Sequence, residues 1–185
     1  MNLTRHKTSA FTLIELLTVV AVIAILSGIL IPVAGGVIKQ SRIASSKARL
    51  WQYIIAVEQF KAEYNYYPSV YATDTNSNGL IEFFGASNGS PSFVDALSGN
   101  GNVGGNYRSI QFYSFSENEF EDENSSTGQL SDSFNNTNIS IMIDVDGDGI
   151  IEPDSDTLAS PGQIRGTATA WVEANAGNPG YALWE

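Results

Sequence analysis

The sequence predicts an α+β protein, with one long N-terminal helix packed on a small antiparallel β-sheet head. Two observations predict it. From Phe11 to Ala34 the chain reads FTLIELLTVVAVIAILSGILIPVA, with Glu15 its one charge, and from Val37 to Tyr64 apolar residues recur at helical spacing. Beyond Pro68, three short stretches rich in β-branched and aromatic residues stand between Gly-, Asn-, Asp- and Ser-rich segments, as strands do. A helix followed by a few strands places an antiparallel sheet on that helix.

The apolar run 11–34 would extend roughly 36 Å as a helix, enough to cross the hydrocarbon core of a bilayer. Arg5, His6 and Lys7 precede it, and Lys39 and Arg42 follow it. A secretory signal shares the basic start, but its apolar core is usually ~7–15 residues and gains nothing from an acid. A single-pass anchor explains the length and leaves Glu15 unexplained. A lone carboxylate in lipid is costly, so its presence implies a partner. Ser27-Gly28, Pro32 and Gly35-Gly36 are weak points in this helix, since proline removes an i→i−4 bond and glycine lowers helix propensity.

In the amphipathic continuation, Ile43, Leu50, Ile54, Val57 and Tyr64 fall near one face, with Trp51 and Ile55 widening it. Lys39, Arg42, Lys47 and Arg49 occupy the rest. This face is expected to pack on a sheet. Helix propensity ends at Asn65 and Pro68 stops it, so the whole helix should run from about Thr12 to Tyr64.

Residues 69–108 are rich in Asn, Ser and Gly and read mostly as loop, with a short helix in PSFVDALSG between Pro91 and Gly99. The predicted strands are SIQFYSF (109–115), ISIMIDV (139–145) and TATAWVE (167–173), the last two alternating in the way half-buried strands do. SENEFEDENSS (116–126) reads as a solvated acidic loop, with a metal or partner role as the lesser alternative.

Charge and composition narrow the function. Of nine Lys and Arg, seven lie at or before Lys61, whereas eighteen of the twenty Asp and Glu follow it. A strongly acidic body argues against nucleic-acid binding, which needs cations against phosphate. There is no cysteine, and the single histidine is His6. Disulfides, thiolate metal sites, His-based triads and His-ligated zinc are thereby excluded from the body. A paired-carboxylate enzyme is allowed by composition, but no spacing singles out a pair, and no catalytic residue is assigned.

DVDGDGIIEPDSD (144–156) is the second informative motif. Asp144, Asp146 and Asp148 alternate and Gly149 follows, which matches the first half of a calcium loop. Counting Asp144 as position one, position twelve is Ser155 rather than the usual Glu, so Glu152, Asp154 or Asp156 must complete the set in a different wrap. No flanking helix is evident, so this is not read as an EF-hand. The plainer alternative is an acidic turn after a strand. Five Asp and one Glu in thirteen residues exceed what a turn needs, and a structural Ca²⁺ is expected.

A short basic leader, a small residue and FTLIELL resemble the class III signal of type IV pilins and type II secretion pseudopilins. The resemblance implies the pilin fold, a leader at 1–10, a transmembrane and filament-core helix at 11–36, its amphipathic half at 37–67 and a soluble head at 68–185. It also implies cleavage by a prepilin peptidase between Ala10 and Phe11, then N-methylation of Phe11. Ala10 departs from the usual glycine and is expected at worst to slow processing. Glu15 then pairs with the α-amine of a neighbouring subunit, and the stretch around Pro32, a recurrent family position, bends or melts on filament packing.

YNYYP (64–68) and the order of segments in the body resemble pseudopilins more loosely. Major pseudopilins are similar in having a calcium site in a C-terminal loop and no disulfide, which favours that side of the family. The function implied is a structural subunit of a type II secretion pseudopilus, not an enzyme. The alternatives are a type IV pilus subunit for adhesion or motility, a membrane-tethered calcium-binding module that never polymerises and, ranked last, an exported carboxylate enzyme. Implied partners are copies of the chain and related pilins in a helical filament, the prepilin peptidase, and an inner-membrane assembly platform with its ATPase. The implied location is the bacterial inner membrane, single-pass, with the head in the periplasm, and after assembly a periplasmic or surface filament.

Overall fold

The computed structural model describes residues 11–68, 80–82, 90–121 and 129–184, without the side chains of 32–34, 80–82 and 90–92. The leader with Ala10, residues 69–79 and 83–89, and residues 122–128, which include the end of the acidic segment, lie outside the described residues. The chain divides into two compact units, residues 1–41 and 42–185.

The first unit holds the beginning of helix α1 (Leu13–Tyr64). Its Leu13–Ile31 portion has a mean hydropathy of 2.7 and none of it is buried within the chain. Leu13, Ile14, Leu16, Ile23, Ile29 and Ile31 are all more than half exposed. That is the surface a bilayer or a bundle of like helices covers, not one that water tolerates. The helical assignment continues through Gly28, Pro32, Gly35 and Gly36 in the single chain.

The second unit is an α+β head built on the rest of α1. Strands β1 (Leu80–Glu82), β2 (Ile139–Ile143), β5 (Ala168–Val172) and β6 (Tyr181–Ala182) form an antiparallel sheet in the order β1-β2-β5-β6. A second two-stranded ladder pairs β3 (Ile150–Ile151) with β4 (Ile164–Arg165). Helix α2 (Ser90–Ser98) covers the PSFVDALS segment expected to be helical.

The core is where α1 meets the sheet. Leu50, Tyr53, Ile54, Val57 and Phe60 of α1 pack with Ile139, Ile141 and Ile143 of β2, Ala170 and Val172 of β5, and Phe93 and Leu97 of α2. Asn65, with φ 62°, closes the helix at the expected place, its N–H bonded to the Lys61 carbonyl at 2.7 Å. The alternation read in β2 and β5 holds by face. The other face is also covered, because Met142 and Trp171 join Ile151 and Ala182 in a smaller cluster under Leu158 and Trp184. All five residues of β2 are therefore buried.

Three expectations are corrected. Residues 109–115 form no strand. Their aromatics Phe112, Tyr113 and Phe115 pack on the core, while Phe112 N and Tyr113 N both donate to the Leu97 carbonyl, at 2.8 and 3.0 Å. Burial of aromatic rings accounts for their composition without a ladder.

The described part of the acidic segment is not simply solvated. Glu119 is buried and accepts the Tyr53 hydroxyl at 2.6 Å, with Tyr113 and the Ser116 N–H adding to it. Burial first, and then the Glu119 charge, push the Tyr53 phenol well above its ordinary pKa.

Lastly, Trp51 and Ile55 do not widen the core face. They are 49% and 52% exposed and point away from it. Tyr53 and Phe60 take core positions instead.

Candidate functional site

The Asp-rich loop leaves the end of β2 and returns as β3. Gly147 and Gly149 both take φ of 77°, a conformation that costs glycine nothing and most other residues more, and this lets the chain reverse tightly. Asp144 is buried and organises the turn: its Oδ1 accepts Gly147 N–H at 2.8 Å and its Oδ2 accepts Gly149 N–H at 2.9 Å. Burial raises the Asp144 pKa, but these bonds and the more distant Lys61 cation outweigh it and hold the carboxyl below its ordinary range. Asp148 accepts Ile150 N–H at 2.7 Å.

The effect is convergence. One oxygen from each of Asp144, Asp146 and Asp148 lies within 4.8 Å of the others. They line an open cleft of about 410 Å³ that Glu152 and Gln163 also border, with the Glu152 carboxylate accepting Gln163 Nε2 at 2.7 Å. Asp154 and Asp156 are exposed and lie outside the convergent group. Hard carboxylate oxygens on alternate residues around a glycine turn are the donor set that calcium takes, so the residues present fit that ion.

Two supports of this loop carry no sequence signature. Glu173, at the end of β5 and 6% exposed, accepts Trp171 Nε1 at 2.6 Å, Ser155 Oγ at 2.9 Å, Thr157 N–H at 3.0 Å and the Thr157 hydroxyl. It pins segment 155–157, and with it the descending end of the Asp-rich stretch, to the sheet. Burial pushes its pKa up, but the donors prevail and hold it low. Stability from a depressed carboxyl is present above the unfolded pKa and is lost as pH falls through the folded value. Glu173→Gln is therefore expected to cost about 2 kcal/mol at neutral pH, as lost charge-assisted bonds do. Thermal melts should show the gap to wild type closing as pH drops below the ordinary carboxylate range.

The second support is a relay. Lys61 Nζ donates to the Tyr67 hydroxyl at 2.7 Å, Tyr67 donates to the Thr167 carbonyl at 3.3 Å, and Asp144 N–H meets that same carbonyl at 2.9 Å. The last turn of α1 thereby anchors the base of the loop.

At the other end of the chain, Thr12 and Glu15 form a capping box. Glu15 N–H donates to Thr12 Oγ1 at 3.3 Å, while Glu15 Oε2 accepts Thr12 N–H at 2.8 Å and the Thr12 hydroxyl at 2.7 Å. Phe11 stands just ahead of the helix, 72% exposed. Glu15 is four residues from Phe11, one helical turn. Within this arrangement an acid heads a helix that carries no further charge and exposes mostly apolar surface over the next sixteen residues, Leu16 to Ile31.

A family profile, the prokaryotic N-terminal methylation motif, matches residues 5–31. The chain carries this motif. The methylation motif takes in Phe11, Glu15 and nearly all of the exposed apolar helix, and it is consistent with a type IV pilin-like protein. A single-pass membrane anchor is compatible with it. The motif stops short of Pro32 and of the head. No curated protein and no solved structure matches the chain.

Proposed function

We propose that this protein is a structural subunit of a type II secretion pseudopilus, polymerising through α1 to support protein export across the outer membrane. The observation that carries the reading is the methylation motif at the head of a helix whose apolar surface is wholly exposed in the single chain. A prepilin peptidase cuts between Ala10 and Phe11 and methylates the new terminus. The chain waits in the inner membrane with its head outside, in line with the positive charge on the leader side. Contacts between copies are heterologous and do not close, which gives a filament rather than a ring. The assembly platform and its ATPase supply the work, and the subunit performs no chemistry.

The pseudopilus is favoured over a type IV pilus by the lack of cysteine together with the convergent Asp144, Asp146 and Asp148. In this reading the three aspartates, with Glu152 beside them, hold a structural Ca²⁺ that staples the loop in a head with no disulfide.

Mass spectrometry of the protein extracted from native membranes tests the processing step. The expected chain begins at Phe11 and bears one additional methyl group. Filaments built from chains that retain residues 1–10 sink the proposal.

A further inference from the structure

We infer that Lys39 and Arg42 form a basic collar that binds anionic lipid headgroups in the leaflet on the head side of the bilayer. This rests on the membrane placement proposed above and adds the lipid chemistry that the neck of the chain selects.

Position along α1 is the first observation. Exposed apolar side chains recur from Leu16 to Val37 and Ile38, and Lys39 is the next charged residue after Glu15. Arg42 follows three residues on, so the two are neighbours on one side of a helix. At 1.5 Å rise per residue Arg42 stands about 5 Å beyond Lys39, and a headgroup layer of roughly 5–8 Å takes in both. Side chains on a helix lean towards its N-terminus, which for these two is the direction of the apolar span. Both residues are exposed, and neither forms an ion pair among the described residues, where the salt bridge is that of Arg108 with Glu63. Arg42 stands 5.7 Å over the Phe134 ring. Contact through the face of a guanidinium leaves its N–H edge for a phosphate. Arg49, further along, already donates to the Ser131 carbonyl at 3.2 Å and belongs to the head.

Charge selects the kind of lipid. Residues 62–185 carry two Lys and Arg against eighteen acids. An anionic bilayer surface repels a head of that charge, and cations at its neck offset the repulsion where the surface field is strongest. Trimming before Phe11 removes Arg5, His6 and Lys7, so Lys39 and Arg42 are the side-chain cations nearest the span in the processed chain. Positive charge on the outer flank opposes the orientation that the leader sets. A zwitterionic surface gives that charge no counter-charge, whereas an anionic headgroup does.

The test uses the full chain, extracted from native membranes and reconstituted in vesicles of equal phosphatidylcholine and phosphatidylglycerol. A benzophenone amino acid replaces Ile38 in one variant and Leu16 in another, both exposed positions, and the adducts formed on irradiation are identified by mass. At position 38, phosphatidylglycerol is expected over phosphatidylcholine by roughly fivefold or more, the preference that one cation near an anionic surface gives. At position 16 the ratio should stay near that of the vesicle. Lys39→Gln with Arg42→Gln should return the ratio at 38 to the vesicle's, and high salt should do likewise, because exposed charges are screened. Lys39→Gln alone lies outside the head unit, so it should lower the ratio with the head's melting temperature unchanged, whatever Arg42 contributes to Phe134. An unselective ratio at 38 with both cations present, or one that the double substitution leaves untouched, overturns the collar and leaves the membrane placement standing. Adducts at 38 to protein alone, with lipid adducts at 16, do the same. No lipid adduct at either position overturns both.

Discussion

Glu15→Gln is expected to abolish filament assembly while leaving membrane insertion, the start of α1 and the folded head intact. The reason lies in two jobs that one carboxylate performs. In the single chain Glu15 closes a capping box, taking the Thr12 N–H and hydroxyl on Oε2. Glutamine can occupy that third position of a capping box as well as glutamate does, so the helix start survives the substitution. Glutamine has no charge, so it cannot pair with the ammonium that a trimmed Phe11 would present. Inside lipid an ion pair is valued chiefly for fixing which residues meet, and a neutral amide loses that register.

Glu15→Ala removes both jobs and Thr12→Ala only the cap. The expected order is that Glu15→Gln and Glu15→Ala fail alike, whereas Thr12→Ala still assembles. Electron microscopy of sheared filaments, with membrane fractionation as the control, reads this out. Filaments of ordinary length from Glu15→Gln chains would show that the carboxylate matters only as a helix cap. The capping box also explains how a chain can hold an acid near the bilayer before a partner arrives, since the carboxylate is never without donors.

The long helix and the charged start of the apolar span were legible because their signals are local. Apolar residues without interruption, a proline and an asparagine at the end, and a methylation motif each act within a few residues, so α1 closes at Tyr64, as its sequence requires. The aromatic stretch 109–115 misled for the same reason. Ring content is shared by strands and by irregular segments laid over a core, and the choice was made by the Leu97 carbonyl, some fifteen residues upstream. Trp51 and Ile55 misled because helical spacing shows a face to be apolar without showing which neighbour covers it. A helix with two apolar faces reads as one broad stripe until burial separates them. Glu173 and the Lys61–Tyr67 relay were out of reach altogether. Their partners are brought together by the sheet, and a single glutamate after a strand looks no different from a solvated one.

Chelation of calcium is expected to lower the melting temperature of the head by about 8 °C from its value at a hundredfold excess of calcium over its dissociation constant, the shift that this degree of saturation gives a head of this size. Among the three convergent aspartates, Asp146 separates the metal from the turn most cleanly. Asp144 serves Gly147 and Gly149, and Asp148 serves Ile150, so truncating either damages the backbone directly. Asp146 accepts only a long 3.4 Å backbone bond, from Asp148 N–H, besides its interaction with the Asp144 carboxyl, and it is exposed. In chelator, Asp146→Ala should melt at or slightly above wild type, because it relieves repulsion among three neighbouring carboxylates. In excess calcium the order should invert, with wild type gaining the full shift and the variant little of it. This crossing is the signature of a bound cation, since an acidic turn that holds nothing would keep one order in both buffers. Identical melts for wild type with and without calcium would reduce the loop to its turn, held by Asp144, its two glycines and the relay from Lys61. The pseudopilus reading would then lose one of the two features that favour it over a pilus and rest on the lack of cysteine, while the methylation motif and the assembly role of Glu15 would stand.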